Sequence, residues 1–306
     1  MSQTTVIGPF HQGELDMQQL AGERHKSAIA GRMIQETVPP GALRFLRQQS
    51  MIWIGIEDSS NLPWAFPLFG SPGFVNPNKG ERIEIELSEN TLIPEKWRSL
   101  LYIGKFIGCL AIELSSRRRL RLNGVIKAIN QQKLYIEIQQ AYPNCPKYIR
   151  KRELLSRPNE CVFRCLSSGT VLNEELSDII RQSDTAFIAS IGPNGADVSH
   201  RGGPAGFINV DAMNKITVPD YTGNGLFNSL GNFRINPSGG LTIVKFNQGY
   251  FLQLAGKINL LFDHEYPDTS TGGTHRYWEL KIQEWHLFQL QPNYKWEDLD
   301  FSPHNP

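Results

Sequence analysis

The sequence predicts a mainly β protein, largely antiparallel, with short connecting helices. Segments with the alternation and the β-branched or aromatic content of strands dominate the 306 residues, and Gly, Pro and Asn separate them. The chain also matches itself at a spacing of 132 to 133 residues. Because the chain is long enough for two domains of ordinary size, we expect two copies of one β unit.

The predicted elements follow one another along the whole chain. Strands are expected over residues 51–57, 82–87, 109–114, 120–129, 133–138, 186–191, 206–210, 241–246, 250–261 and 277–282. Helices are fewer and are expected over residues 15–31, 40–49, 94–101 and 173–182. The last of these begins with Asn173, a residue type that caps helix N-termini well.

Three pairs of segments carry the internal repeat. The segment "LRLNGVIKAI" aligns with "FLQLAGKINL", which places Gly124 over Gly256. The segment "GSPGFV" aligns with "GGPAGFI", which places Phe74 over Phe207, and the helix before the first strand of each copy matches as well. Chance matching of common strand and turn residues is the alternative.

Proline and charge cluster over residues 143–160, where we place the boundary between the copies. The predicted domains are an N-terminal helical extension over 1–39, a first copy over 40–150 and a second copy over 151–306.

The composition and charge exclude several classes of function. The formal net charge is +1, which gives no overall field for nucleic acid, and no window approaches the roughly 20 apolar residues of a membrane helix. The basic run "RRRLR", residues 117–121, is expected to be an exposed hairpin turn. Because the N-terminus lacks a secretory signal, we expect a cytoplasmic protein with no nucleic-acid and no membrane partner.

The cysteines predict neither a disulfide framework nor a metal site. Four cysteines are too few for such a framework in a chain of this length. Cys161 and Cys165 are spaced like half of a metal site, but no second pair of ligands follows, so we expect no metal. Cys145 has no evident base beside it in the sequence and is not assigned as a nucleophile.

The stretch "DVSHRGGPAGFINV" interrupts the strand pattern with polar donors. Ser199, His200 and Arg201 stand side by side and are followed by Gly202 and a second glycine, which suits an anion that side chains and backbone both approach. At the aligned positions the first copy has apolar residues, namely Phe66, Pro67 and Leu68. Only the second copy therefore keeps the donors.

A second donor-rich stretch, "PDYTGNGLFNSLGNFRINP", follows. Asn224, Gly225, Asn228 and Ser229 precede a short helix that Pro237 would stop, and such a loop before a helix N-terminus is a natural phosphate seat. A structural histidine and a plain loop are the alternatives. The two stretches together predict an anion site.

A family resemblance rests on these two patterns, which occur in the right order and strand context. The chain closely resembles the pyridoxamine 5'-phosphate oxidase-like family of FMN-binding split β-barrels, in the subgroup with DVSHRGG and GNxLFNxLGN motifs. The similarity is strong over residues 175–260 and weaker over 40–150. It implies a fold of two tandem Greek-key split β-barrels with short connecting helices, in which the first, degenerate barrel covers the site of the second.

The resemblance also implies a set of cofactor-binding residues: Ser199, His200, Arg201, Gly202, Asn224, Gly225, Phe227, Asn228, Ser229 and Lys147. Lys147 lies in "NCPKY", also familiar from this subgroup, and is expected near the pyrimidine edge of the flavin; a surface lysine in a linker is the alternative. Trp53 or Trp64 is expected to cover the flavin ring. No catalytic residue is assigned, although Asp197 and His200 are the nearest candidates for an acid or base.

The function implied is that of an FMN-dependent oxidoreductase acting on an unknown small-molecule substrate or electron donor, with one FMN per chain. Alternatives are a flavin- or haem-binding protein without turnover and a deazaflavin in place of FMN. A true pyridoxamine-phosphate oxidase is disfavoured, because the family's C-terminal arginines are missing after Arg276. A homodimer is a further possibility that the sequence leaves open.

Overall fold

The computed structural model describes residues 8–158, 160–211, 213–262 and 271–306. The chain is mainly β, with large antiparallel sheets, which confirms the predicted fold class. The first sheet contains β1 (Met51–Glu57), β2 (Pro63–Phe69), β3 (Val75–Asn76), β4 (Arg82–Glu86), β5 (Phe106–Glu113), β6 (Arg118–Ile129) and β7 (Lys133–Pro143). A small sheet pairs β8 (Arg152–Ser156) with β17 (Lys295–Asp298).

The second large sheet follows in the chain. Its strands are β9 (Val162–Gly169), β10 (Thr185–Gly192), β11 (Gly195–Gly202), β12 (Asn209–Val210), β13 (Lys215–Pro219), β14 (Ser238–Lys245), β15 (Tyr250–Leu261) and β16 (Tyr277–Gln291). Of the predicted segments, 206–210 is strand only at its end, and β2, β3, β8, β9, β13 and β17 were not among the predicted strands.

The two large sheets have the same strand order. The first runs β2-β1-β5-β6-β7-β4-β3, and the second runs β11-β10-β14-β15-β16-β13-β12, with β9 added beside β16. A β-bulge lies just before Gly124 between β6 and β7, and another lies just before Gly256 between β15 and β16. The two bulges thus lie at the two glycines that the sequence repeat aligns.

The helices are short. They are α1 (Gln12–Leu20), α2 (Arg24–Gly31), α3 (Leu43–Arg47), α4 (Glu95–Arg98), α5 (Glu174–Arg181) and α6 (Asn228–Ile235). The single helix predicted over 15–31 is in fact two, because Gly22 adopts a positive φ of 68° and ends α1. Asn173 caps α5 as predicted, its side chain accepting a hydrogen bond from the Leu176 N–H. None of the helices within the described residues is long and apolar enough to span a membrane.

The two sheets pack directly on each other, which positions the strand that carries the polar stretch. β1 and β5 of the first sheet approach β11 of the second so closely that two glycines are needed. A Cβ on Gly55 would meet the Asp197 carbonyl oxygen at 2.7 Å, and one on Gly108 would meet the Asp197 Cα at 2.7 Å. The backbone of β11 is therefore held against the first half of the chain.

Candidate functional site

A cleft between the two halves of the chain brings most of the predicted site residues together. Its empty space is about 790 Å³, the open mouth included. Most of the residues named from the sequence line it: His200, Arg201, Gly202, Asn224, Gly225, Phe227, Asn228, Ser229 and Lys147. Ser199 does not line the cleft but lies behind it, fully buried, with its Oγ 2.9 Å from Ser229 Oγ.

His200 reaches the cleft from β11 as a neutral ring. Burial holds the pKa of His200 well below its usual value, and the nearby charges of Arg119 and Arg201 lower it further. Arg119 Nη1 donates to His200 Nδ1 at 3.3 Å, so the ring proton lies on Nε2. That Nε2 is buried and has no hydrogen-bond partner among the described residues. A donor is thus left for a ligand.

Arg201 lies beside it on the same strand. Its Nη1 donates to Ser199 Oγ at 3.4 Å and to the His200 carbonyl at 3.2 Å, while its Nε is buried without a partner. Burial lowers the pKa of Arg201, yet a guanidinium stays charged at neutral pH. In the part of the chain that the structure describes, no carboxylate lies within ion-pair distance of Arg201.

The loop before α6 supplies the opposite wall. Phe227, at the N-cap position, has a left-handed backbone with φ 61°, and no side chain caps the helix. The first N–H groups of α6 therefore face the cleft with the positive end of the helix dipole behind them. The side chains of Asn228 and Ser229 are already engaged inside the protein, where Ser229 Oγ donates to Asp197 Oδ2 at 3.1 Å. Asn228 and Ser229 therefore offer a ligand chiefly their backbone N–H groups.

The arginines of the run 117–121 were misjudged from the sequence. A turn does lie before β6, but Arg119 and Arg121 are two apart on that strand, so both point to the face that lines the cleft. Arg121 is buried and donates to Asp197 Oδ2 at 3.2 Å, whereas Arg118, which precedes both, is exposed. The i, i+2 spacing of the two arginines on a predicted strand was the signal that could have found them.

Arg119 resembles Arg201 in lacking an ion-pair partner among the described residues. Its Nε donates to the Cys145 carbonyl at 2.9 Å, and its Nη2 lies 3.8 Å from Cys145 Sγ. Burial lowers the pKa of Arg119 to about 10, so it remains a cation at neutral pH. Cys145, to which the sequence assigned no role, lines the same cleft.

Aromatic side chains form part of the wall. Tyr148 and Tyr221 lie with their ring centroids 4.8 Å apart, and Arg276 stands over the Phe227 ring at 5.2 Å. Arg276 also donates through Nε to Asp220 Oδ2 at 3.1 Å. Arginines therefore reach the cleft from several parts of the chain.

The tryptophans proposed to cover a flavin ring do not line the cleft, and that expectation is wrong. Trp53 and Trp64 are fully buried in the core between the sheets. Trp53 stacks on Phe187 with ring centroids 3.6 Å apart, and Trp64 packs against Trp97 at 4.8 Å. Both are apolar residues on strands whose two faces are covered, which is why they are core.

Comparisons with known proteins add little beyond this geometry. No family model matches the sequence, and no curated protein matches it. Among solved structures, the chain is similar to HupZ of Group A Streptococcus, with 13% identity, 41% of this chain and 98% of that chain covered, and a TM-score of 0.31. A putative pyridoxamine 5'-phosphate oxidase from Lactobacillus delbrueckii has 12% identity over 38% of this chain and 94% of that one, with a TM-score of 0.31. HutZ, a haem storage protein from Vibrio cholerae, has 12% identity over 43% and 96%, with a TM-score of 0.25.

Proposed function

We propose that the protein binds FMN in this cleft and holds it chiefly by its phosphate. The observation that carries the proposal is a pair of partly buried guanidiniums, Arg119 and Arg201, that have no carboxylate partner among the described residues and lie at one cleft with the uncapped N-terminus of α6. Removing cations from water without a counterion costs free energy. A bound dianion would offset that cost.

The cleft fits a phosphate on the evidence of its unused donors. Arg201 Nε, Arg121 Nε and His200 Nε2 are all buried without a hydrogen-bond partner in the described ranges. Unsatisfied buried donors are rare in proteins and call for an explanation. Phosphate oxygens accept several charge-assisted bonds at once, and they suit both guanidinium forks and helix N-termini.

The remainder of the cleft fits an aromatic ring system. Its walls include Phe207, Tyr148 and Tyr221. When bound, FMN supplies hydride transfer at its N5 atom. Lys147 and Arg119 would then lie at the cofactor's cleft as cations, which stabilise negative charge that develops on a reduced ring.

We further propose that the protein is an oxidoreductase of a small molecule. The cleft is open on one side, and a second molecule would reach the bound flavin through that opening. Reduction of the bound flavin by NAD(P)H, followed by reoxidation with an added acceptor, is the expected behaviour. A bound flavin that neither reaction changes would mark a binding protein without turnover.

The binding proposal is tested by comparing FMN with riboflavin, which has the same ring system and no phosphate. Quenching of flavin fluorescence on titration with apo protein gives both dissociation constants. We expect FMN to bind at least tenfold more tightly, since each charge-assisted bond contributes about 1.5–3 kcal/mol. Equal affinity for the two, or no binding of FMN, would overturn the proposal. Mass analysis of the ligand that heat releases from purified protein distinguishes FMN from a deazaflavin.

A further inference from the structure

The two N-terminal helices, α1 and α2, make hydrogen bonds to the loop and to helix α6, which together form one wall of the cleft. Ser27 Oγ donates to the Gly225 carbonyl at 2.6 Å, and Gln18 Nε2 donates to the Leu226 carbonyl at 3.3 Å. His11 Nδ1 accepts from the Gly13 N–H, so its Nε2 carries the proton and donates to Asn232 Oδ1 at 2.9 Å. These helices precede both large sheets in the chain.

One residue of this contact stands out because it is a carboxylic acid inside the protein. Glu14 is 2% exposed. Its Oε1 accepts from Asn228 Nδ2 at 2.5 Å, and its Oε2 accepts from the His11 N–H at 2.8 Å. The Oδ1 atom of Asn228 accepts from Arg121 Nη1 at 3.3 Å. Glu14 therefore fixes which way the Asn228 amide points, and Asn228 is the first residue of α6.

We propose that Glu14 is a positioning residue of the anion site, acting through Asn228 to hold Arg121 and the first turn of α6 where an anion binds. The inference rests on the proposed function for the identity of the anion, the phosphate of FMN. Its geometric part, the holding of α6, does not depend on the ligand.

The charge of Glu14 matters because the surrounding cluster is closed to water. Charged and titratable groups face it from four elements: His11 before α1, Arg121 on β6, Tyr142 on β7 and Asp197 on β11. Burial lowers the pKa of His11, so Arg121 is the cation of the cluster at neutral pH, and it already pairs with Asp197 at 3.2 Å. Burial raises the pKa of Glu14 to about 8.

Glu14 is consequently protonated at neutral pH and ionises as the pH rises through about 8. Ionisation puts a second negative charge beside Arg121, next to the place where the anion binds. The phosphate of FMN has lost its second proton near pH 6, so its own charge is constant above neutral pH. The flavin ring can lose a proton at alkaline pH as well, so the part of any alkaline loss of affinity that is absent in Glu14→Gln is the part that belongs to Glu14.

The first experiment measures the dissociation constant of FMN from pH 7 to 9.5 in four proteins: wild type, Glu14→Gln, Glu14→Ala and, as a control on the same helix, Asp16→Asn. Wild type and Asp16→Asn should weaken above pH 8 by up to about tenfold per pH unit, the limit for one coupled proton. Glu14→Gln keeps an acceptor for Asn228 and should bind within about threefold of wild type at pH 7, with a flat profile. Glu14→Ala should bind at least tenfold more weakly than Glu14→Gln.

Two results would overturn the inference: a wild-type pH slope in Glu14→Gln, or equal weakness of Glu14→Gln and Glu14→Ala at pH 7. If wild type binds no FMN at any pH, the proposed function falls, and amide hydrogen exchange decides the positioning role by itself. Exchange of the Gly231 amide, which donates to the Phe227 carbonyl at 2.7 Å, and of the next two amides of α6 should be faster in Glu14→Ala than in Asp16→Asn. Equal exchange in the two variants would refute the role.

Discussion

Arg201 is the residue on which the proposed phosphate site depends most directly. Replacing it by alanine removes a cation with no carboxylate partner among the described residues and an unused buried Nε donor. Arg201→Ala should therefore weaken FMN binding by roughly 10- to 150-fold, equivalent to about 1.5–3 kcal/mol. The dissociation constant from flavin fluorescence measures this, with circular dichroism to check that the variant is folded.

A matched control comes from the basic run on β6. Arg118 is exposed, with its guanidinium over the Phe45 ring at 4.8 Å and away from the cleft. Arg118→Ala removes the same charge and should leave FMN affinity within about twofold of wild type, since an exposed charge outside the site is largely screened. If Arg201→Ala were no weaker than Arg118→Ala, the phosphate would have to bind elsewhere.

At the residue scale, the sequence predicted the donors that are adjacent in the chain and missed those brought in by folding. The stretch from Ser199 to Arg201 was visible because three polar residues interrupt an apolar strand pattern. Arg119 and Arg121 lie in a run that also contains the exposed Arg118, and composition does not reveal which face of a strand will be covered. Which face of β6 is covered depends on how the other half of the chain packs against it.

Gly13 decides how closely α1 packs on α6, and its replacement gives a prediction at the scale of elements. A Cβ on Gly13 would lie 2.2 Å from the Gly231 carbonyl oxygen and 2.7 Å from Ile235 Cγ1. In an isolated helix, Gly→Ala stabilises by about 1 kcal/mol. Here the clash is with backbone that cannot move aside, so overpacking of about 1–3 kcal/mol should outweigh that gain.

Gly13→Ala should therefore lower the free energy of unfolding and the Tm, measured by thermal and urea denaturation. Gly41→Ala is the matched control, because a Cβ at Gly41 meets nothing within 4 Å. It should leave the Tm unchanged or slightly higher. A Tm that rises in Gly13→Ala would mean that the two helices are not packed in this way.

Elements were predictable where local pattern and tertiary burial agree. β15 was predicted over residues 250–261 and has these bounds in the structure. β2 was missed because Pro63 and Pro67 argue against a strand, yet β2 is the outermost strand of its sheet, where a missing N–H is tolerated. The break between α1 and α2 at Gly22 was missed because helical periodicity continues across it.

The whole molecule should bind one FMN per chain. The aligned counterparts of the β11 donors, Phe66 and Leu68 among them, are fully buried in the first sheet. Trp97 of α4 packs over Phe66 with ring centroids 6.0 Å apart and donates through Nε1 to Gln253 Oε1 at 2.8 Å. Aromatic side chains thus fill the region that a second phosphate would need.

Titration of FMN against a known concentration of apo protein, followed by absorbance of the bound flavin, measures this stoichiometry. Saturation at one equivalent is expected. Saturation at two equivalents would mean that both copies bind FMN and that the aromatic side chains around Phe66 move aside. The repeat could be seen in the sequence. That aromatic side chains occupy the place of a second phosphate could not be seen, because Trp97 comes from helix α4 and no local sequence pattern predicts where that helix packs.

The cleft is lined by both copies of the β unit, Arg119 on β6 from one and Arg201 on β11 from the other, and a single chain joins them. A site shared between separate subunits disappears when dilution separates them. Here both walls of the cleft belong to one polypeptide, so their effective concentration relative to each other does not depend on the protein concentration. Ligand affinity should thus stay constant when the protein is diluted.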